Sequence, residues 1–310
     1  MKVTANQIQI EIEDSAPPSG GTTVDLPVVL LIMGLGMQLV SWPPGLVRSL
    51  MNAGFRVIRF DNRDSGLSEK FDHLGQPNLL WQGMKYKLGM KISAPYSLQD
   101  KAMDAVGVLD ALKIDKAHIV GVSMGGMVAQ RVALLAPERT LSLTSIMSSS
   151  GARGLPEAKP AITRLLLGRP ANDSLDAAIE RSVKVFKAIG SPGFPMDDED
   201  RRAAVAYSLQ RSYYPQGVLR QMVAIVADNT RAAELPNITA PTLVLHGKAD
   251  PLVPFACGQD TAQRIPGAKL VGIEGMGHDL PPGAVDQLLT HLIPHLRASQ
   301  PDLRQALRPA

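Results

Sequence analysis

Residues 118–126 read His-Ile-Val-Gly-Val-Ser-Met-Gly-Gly and join a strand pattern directly to a helix pattern. The first five of these residues form a mostly apolar run too short for a helix, whereas helical periodicity begins at Met124. Ser123 therefore stands at a strand-to-helix turn with the spacing Gly-x-Ser-x-Gly. Such a sharp reversal strains the backbone at the serine and needs neighbours without bulky side chains, here Gly121 and Gly125. The sequence predicts a serine oxygen held above the end of a strand, next to a helix N-terminus.

Residues 121–125 also fit a simpler interpretation, in which Ser123 only caps a glycine-rich helix. The surrounding sequence favours a nucleophile instead. A strand precedes the serine, a helix follows it, and suitable partner residues occur further along the chain.

Short apolar runs of the same kind recur at residues 28–33, 57–60, 141–147, 242–246 and 269–273. Helical patterns alternate with them at residues 44–52, 98–112, 255–265 and 284–296. Continuous apolar runs are typical of strands buried on both faces. The alternation therefore predicts an α/β fold with a mainly parallel central sheet flanked by helices. Residues 1–15 alternate apolar and polar side chains and predict one leading strand.

One long stretch interrupts this alternation, because residues 148–236 carry helical periodicity and no convincing buried strand. We expect a helical cap at 148–236, inserted into a core domain formed by 1–147 and 237–310. A second stretch without clear periodicity, residues 71–96, contains Trp81 and Met84. We expect it to fold irregularly over the surface near the site.

Composition is that of a soluble globular protein, with 310 residues and a formal net charge of +3. The basic residues are scattered, which argues against a nucleic-acid partner. A single cysteine, Cys257, excludes an intramolecular disulfide and a thiolate metal cluster. Residues 26–40 are the most apolar, but Gly34 and Gly36 interrupt them and they fall short of a membrane span. The N-terminus lacks a signal peptide's apolar region, so we expect a cytoplasmic protein. Residues 297–310 predict a solvated terminal helix.

A serine hydroxyl needs an imidazole to accept its proton, and the imidazole needs an acceptor that fixes its tautomer. The predicted strand 242–246 is followed by a turn carrying Asp250, which Pro251 stiffens. The strand 269–273 is followed by a glycine-rich loop ending in His278. We therefore expect Ser123 as nucleophile, His278 as base and Asp250 as the acid that orients it.

Other candidates for these roles are weaker. His118 and His246 lie in or at the end of apolar strands, where histidines are more often part of the core. Asp260 falls within a predicted helix, and Glu274 is too close to His278 along the chain. His291 and His295 have the spacing of metal ligands on a helix, but Pro294 lies between them and no carboxylate motif accompanies them.

Catalysis through a tetrahedral intermediate also needs donors aimed at the developing oxyanion, and backbone amides suit this role. The amide of Met124 is one expected donor. The loop after the early strand 28–33 supplies the other, and we expect Leu35, because Gly34 and Gly36 let its backbone approach a substrate closely. Those glycines could also begin a dinucleotide-binding loop, but Leu39 occupies the third glycine position. The sequence predicts no cofactor and no metal.

With these segments in view, the chain resembles the α/β-hydrolase superfamily from about residue 24 to 297, and in particular bacterial esterases that include polyketide methylesterases. The segments that carry the resemblance are residues 31–36, 60–68, 121–126, 246–254 and 275–278. The resemblance implies an α/β-hydrolase fold, a carboxylic ester substrate, no metal and a pocket lined by the cap. Many members have His-Gly before the oxyanion residue, whereas this chain has Met33-Gly34.

The expected partner is thus a small-molecule ester, with no nucleic acid and no membrane span, and a homo-oligomer stays an open alternative. Met37 and Trp42 are candidate substrate-lining residues, although Trp42 could instead pack under the oxyanion loop. Asp61 and Arg63 are expected to hold a loop beneath the site. A C–C bond hydrolase, lactonase, perhydrolase or acyltransferase can use the same three residues, and a slow ligand receptor or a binding module also stays open.

Overall fold

The computed structural model describes residues 1–15, 26–168 and 170–300, which build one eight-stranded sheet with helices on both faces. The strands are β1 (Lys2–Ala5), β2 (Ile8–Ser15), β3 (Val28–Ile32), β4 (Arg56–Phe60), β5 (Ala117–Val122), β6 (Thr140–Ile146), β7 (Thr242–Gly247) and β8 (Lys269–Ile273). Their spatial order is β1-β2-β4-β3-β5-β6-β7-β8. The pairs from β4 to β8 are parallel, whereas β1 with β2 and β2 with β4 are antiparallel. The predicted α/β fold is confirmed.

The helices are α1 (Pro44–Asn52), α2 (Leu79–Lys87), α3 (Leu98–Ala111), α4 (Met124–Leu135), α5 (Pro160–Leu167), α6 (Leu175–Ile189), α7 (Asp198–Arg211), α8 (Pro215–Ala227), α9 (Arg231–Glu234), α10 (Phe255–Arg264) and α11 (Pro282–Ala298). Helices α5 to α9 all lie between β6 and β7 in the chain. In the described part of that insertion no strand occurs, in agreement with its helical periodicity.

The apolar core lies on both faces of the sheet. Along β3, Val28, Leu30 and Ile32 face α3 and α4, whereas Val29 and Leu31 face α1 and α11. Successive residues of a strand point to opposite faces, so all five side chains of β3 are buried. This double burial explains why the central strands are continuous apolar runs.

Two local expectations were wrong. Residues 1–15 form a hairpin, β1 and β2, and not one strand, because Asn6 and Gln7 adopt positive φ values of 49° and 66° and reverse the chain. The stretch 71–96 is not wholly irregular, since it contains α2. The side-chain oxygen of Asn78 accepts a hydrogen bond from the amide of Trp81 and caps that helix.

Only the first part of the predicted terminal helix at 297–310 belongs to the described residues. Helix α11 ends at Ala298, and residues 301–310 lie outside the described residues. Across the described ranges, every helix is too short or too polar to cross a bilayer.

Helix α4 approaches β3 so closely that its second residue has no room for a side chain. A β-carbon at Gly125 would lie 2.0 Å from the carbonyl oxygen of Ile32. A β-carbon at Gly121 would lie 2.1 Å from the carbonyl oxygen of Gly125. These contacts involve backbone atoms, so the chain would have to move to accept any larger residue.

Replacement of Gly125 with alanine is therefore expected to destabilise the fold. Gly125→Ala should lower the free energy of unfolding by about 1–3 kcal/mol, the usual cost of overpacking a dense core. Gly45 is the matched control, because it is also the second residue of a helix but has no described atom within 4 Å of its β-carbon position. Gly45→Ala should leave stability unchanged or raise it by up to about 1 kcal/mol. Urea unfolding followed by circular dichroism measures both, and equal effects would contradict the close approach.

Candidate active site

Ser123 lies on the predicted turn between β5 and α4, in a strained backbone conformation. Its φ is 55° and its ψ is −121°, a region that side-chain-bearing residues rarely adopt and that costs about 1–3 kcal/mol. Hydrogen bonds to the backbone of Ser123 fix this turn. The Ser123 amide donates to the carbonyl of Ile146 at 2.9 Å, and the Ser123 carbonyl accepts from the Gly126 amide at 2.9 Å and the Ser148 hydroxyl at 2.7 Å. The hydroxyl oxygen is thereby held at the carboxyl end of the parallel strands.

His278 lies in the loop after β8 and reaches the serine. Its Nε2 is 2.9 Å from the Oγ of Ser123. Its backbone amide donates to the carbonyl of Ile189 at 2.7 Å, which ties the loop to the end of α6. The imidazole is buried, so its position is set by protein atoms and not by solvent.

Asp250 lies in the turn after β7, on the far side of the imidazole. Its Oδ2 is 2.6 Å from the Nδ1 of His278. The other carboxylate oxygen, Oδ1, accepts hydrogen bonds from the amides of Leu252 and Val253 at 2.9 and 2.8 Å. With Nδ1–H donating to the aspartate, Nε2 is left as an acceptor facing the serine hydroxyl, as a general base requires.

A second histidine lies beside the same carboxylate. His246, which the sequence assigns to the core, is fully buried near the end of β7. Its Nε2 lies 2.8 Å from the carbonyl oxygen of Val253 and 3.6 Å from the Oδ2 of Asp250. Burial lowers the pKa of His246, which keeps the ring neutral. The ring therefore holds the backbone of the turn whose amides bind Asp250.

The two expected oxyanion donors border the serine. A β-carbon at Gly34 would lie 3.2 Å from the Cβ of Ser123, so the loop after β3 passes directly over the nucleophile. Met124 begins α4, where the first amides of a helix lack intrahelical acceptors. Among the described residues, the amides of Leu35 and Met124 donate to no other group. Both N–H groups are thus available to a bound oxyanion.

The insertion supports this oxyanion loop through α8. The amide of Gly36 donates to the side-chain oxygen of Gln221 at 2.9 Å. The Cγ2 of Val218 lies 2.8 Å from the position of a β-carbon at Gly36, and the φ of Gly36 is +66°. Only glycine fits this position without strain. The sequence did not single out Gln221 or Val218, because helical periodicity does not tell which loop a helix face will meet.

The polar network expected around Asp61 and Arg63 is confirmed. Asp61 accepts hydrogen bonds from the amides of Leu39 and Leu67 and from the guanidinium of Arg211, at 2.7, 2.8 and 2.7 Å. Arg63 pairs with Asp104 through two hydrogen bonds of 2.6 Å. These contacts hold the segments next to the oxyanion loop and leave neither charge for chemistry at the serine.

The two candidate substrate-lining residues differ in position. Trp42 is fully buried in the core with Leu46 and Leu50, which corresponds to the alternative that it packs beneath the loop. Met37 is partly exposed and closes the turn of the oxyanion loop through a 3.2 Å bond from its amide to the carbonyl of Gly34. Only Met37 is therefore retained as a candidate lining residue. In the described chain, no group of three or more His, Cys, Asp or Glu side chains is placed to hold a metal ion.

Comparison with known proteins identifies the family. The family profile described as alpha/beta hydrolase fold matches residues 27–282. The chain belongs to the α/β-hydrolase family. It is 32% identical over 299 residues to a rhodomycin D methylesterase of Streptomyces sp. (strain C5), a match that covers 90% of this chain and 93% of that protein. The resemblance to methylesterases expected from the motifs is confirmed.

Solved structures share the fold of this α/β-hydrolase at lower sequence identity. A meta-cleavage product hydrolase from Pseudomonas fluorescens IP01 superposes with a TM-score of 0.73 at 19% identity, covering 97% of this chain and 98% of that one. An enol-lactonase from Burkholderia xenovorans LB400 gives a TM-score of 0.68 at 19% identity, with 96% and 99% covered. At such identities the likeness concerns the fold alone.

The role of Asp250 is open to a direct test. Asp250→Asn should favour the imidazole tautomer with its proton on Nε2, which cannot accept the proton of Ser123, and should slow modification by a fluorophosphonate by about 10⁴-fold. The exposed Glu274 in the histidine loop is the control, and Glu274→Gln should react at the wild-type rate. A fast Asp250→Asn variant, or an equally slow Glu274→Gln variant, would place the acid elsewhere.

Proposed function

We propose that this α/β-hydrolase is a serine carboxylesterase that cleaves small to medium-sized esters through an acyl-enzyme intermediate. The observation that carries the proposal is the continuous chain of contacts from Asp250 to His278 at 2.6 Å and from His278 to Ser123 at 2.9 Å. The methylesterase at 32% identity over most of the chain supports an ester as the substrate class.

In the first half-reaction the Oγ of Ser123 attacks the ester carbonyl while the Nε2 of His278 takes the hydroxyl proton. The carbonyl oxygen becomes an oxyanion, and the amides of Leu35 and Met124 donate to it. Asp250 stabilises the imidazolium that has formed. The tetrahedral intermediate then collapses, the imidazolium gives its proton to the leaving alkoxide, and an alcohol departs from the acyl-enzyme.

In the second half-reaction water attacks the acyl-enzyme. His278 accepts a proton from the water, the same two amides bind the second oxyanion, and collapse expels the oxygen of Ser123. The proton returns to that oxygen and a carboxylic acid is released. Since backbone amides do not reorient during the reaction, both oxyanions are stabilised by groups that are already in place.

Residues 148–236 are proposed to act as a cap over this site. The insertion contacts two of the loops that carry the chemistry, because Ile189 binds the backbone of His278 and Gln221 binds the backbone of Gly36. Leu35 and Met37 follow Gly34, which lies against Ser123, and Met124 follows the serine in the chain, so apolar residues flank it in sequence. The pocket between core and cap is therefore proposed to accept an apolar acyl or alcohol group.

The proposal is tested first by removing the nucleophile. Ser123→Ala should keep the wild-type circular dichroism spectrum and melting temperature while the rate of p-nitrophenyl ester hydrolysis falls by about 10⁵-fold or more. The exposed Ser93 provides the control, since Ser93→Ala should hydrolyse the ester at the wild-type rate. Activity retained by a folded Ser123→Ala variant would refute the mechanism.

Substrate preference provides a second test. With p-nitrophenyl esters of graded acyl length, kcat/KM should rise from acetate to butyrate by up to about fourfold for each added methylene, since burial of a methylene stabilises by about 0.8 kcal/mol. Methyl esters of apolar acids should release methanol and the free acid. A steady fall in kcat/KM from acetate onward would argue against an apolar pocket. Cleavage of a vinylogous diketone without hydrolysis of any ester would favour C–C bond hydrolysis.

A further inference from the structure

Helix α2 presents an apolar face to solvent. Leu80 and Leu88 are 88% and 68% exposed, and Trp81 and Met84 are 47% and 46% exposed. Residues 80, 84 and 88 follow one another at four-residue spacing, so they share one side of the segment, and Trp81 lies beside them. Surface helices ordinarily direct such residues inward.

The other side of α2, which meets the protein, carries the partly buried Leu79, Gln82 and Tyr86. The Oε1 of Gln82 is buried, and within the described residues it has no hydrogen-bond partner. Helix α2 thus carries large apolar side chains on its solvent side as well as on the side that meets the protein. An exposed stripe of large apolar side chains marks an interaction site.

Positive charge accompanies this stripe. Residues 73–99 contain three lysines and no aspartate or glutamate. The ammonium group of Lys85 lies 5.6 Å from the ring centre of Trp81. Lys91 is exposed just beyond Met90, which is itself half exposed. We call the surface formed by Leu80, Trp81, Met84, Leu88 and Met90 with Lys85 and Lys91 the basic apolar surface.

The positive charge of the basic apolar surface distinguishes between two candidate partners, a second copy of the chain and an anionic bilayer. In a two-fold symmetric dimer the same surface occurs on both partners, so both sides of the interface would carry the same positive charge. A bilayer containing anionic lipids has the complementary charge and an apolar interior for leucine and methionine side chains. Tryptophan is also enriched at the boundary between lipid and water. An anionic bilayer matches both properties of the surface.

The basic apolar surface is mechanically linked to the candidate active site. Helix α2 packs against α8. From α8, Val218 and Gln221 contact Gly36 in the oxyanion loop. A bilayer docked on the exposed side of α2 would therefore be one helix away from α8, which contacts this loop.

We propose that the basic apolar surface docks the protein on anionic lipid bilayers, from which it takes esters that partition into lipid. The docking itself does not require the triad, whereas the lipid-dissolved ester as substrate rests on the proposed function. The two parts are separable, since binding and hydrolysis are measured independently.

The chain offers a built-in probe of docking, because it has two tryptophans and only Trp81 is exposed. Vesicles of phosphatidylcholine with phosphatidylglycerol should shift the emission of Trp81 to shorter wavelength and carry the protein into the pellet on centrifugation. Added salt should weaken the binding. Vesicles of phosphatidylcholine alone should bind the protein more weakly by about tenfold or a larger factor, because they lack the anionic charge. Absence of pelleting with the anionic vesicles would overturn the proposal.

Variants separate this surface from the rest of the protein. Two double variants should each bind the anionic vesicles more weakly by about tenfold or a larger factor. One combines Leu80→Ser with Leu88→Ser, and the other combines Lys85→Gln with Lys91→Gln. The control variants Leu175→Ser and Tyr207→Ser change exposed apolar residues on other helices and should bind like the wild type. All four should hydrolyse soluble p-nitrophenyl acetate at the wild-type rate.

Two results would contradict the proposal even if binding occurs. Equal loss of binding in the control variants would show that general surface apolarity, and not α2, is responsible. A dimer in sedimentation velocity that dissociates in the Leu80→Ser, Leu88→Ser variant would assign the surface to a second copy of the chain. Ser123→Ala should still bind the vesicles, so an inactive triad and a failed docking surface give different outcomes.

Discussion

The close contact between the nucleophile turn and its neighbouring strands is the constraint on which the site depends. Ser123 can keep its strained conformation only because β3 and β6 surround the turn. Gly125 lies against the backbone of Ile32, and a β-carbon at Gly126 would lie 2.6 Å from the Cβ of Ser148. A strain of about 1–3 kcal/mol is small beside the burial of the central strands, so the sheet can hold the serine in place. The packing of the sheet against the turn therefore fixes the position of the serine oxygen.

Asp250 and His278, the other two residues of the proposed triad, are held by backbone groups and not by their own side chains alone. Asp250 receives two amides of its own turn, and His246 holds the carbonyl of Val253 in that turn. His278 is fixed through its amide by Ile189. Because each loop is anchored separately, the alignment of three groups distant in sequence follows from the positions of β5, β7 and β8 in the sheet.

The sequence predicts well those features that local patterns encode. The strand-to-helix turn at Ser123 and the loops of Asp250 and His278 each follow an apolar run that ends in turn-forming residues. The hairpin differs from the expected single strand because Asn6 and Gln7 reverse the chain without glycine, and the only local signal is a change of apolar phase between Val3 and Ile8. The position of Trp42 and the contact between Gln221 and Gly36 depend on how distant segments pack. No local pattern contains that information.

The way the insertion is attached has a consequence for specificity. Two of its contacts to the histidine loop run between backbone groups, from the amide of His278 to Ile189 and from the amide of Gly193 to Gly275 at 2.7 and 2.8 Å. One further contact uses a side chain, because the hydroxyl of Ser191 accepts from the amide of Gly277 at 2.9 Å and donates to the carboxylate of Asp279. Backbone contacts of this kind do not depend on the identity of the side chains that project from the insertion. Apart from Ser191, side chains of the insertion that face the proposed pocket can therefore change without moving His278. The core would then carry the chemistry, and the insertion would be free to define which acyl and alcohol groups reach Ser123.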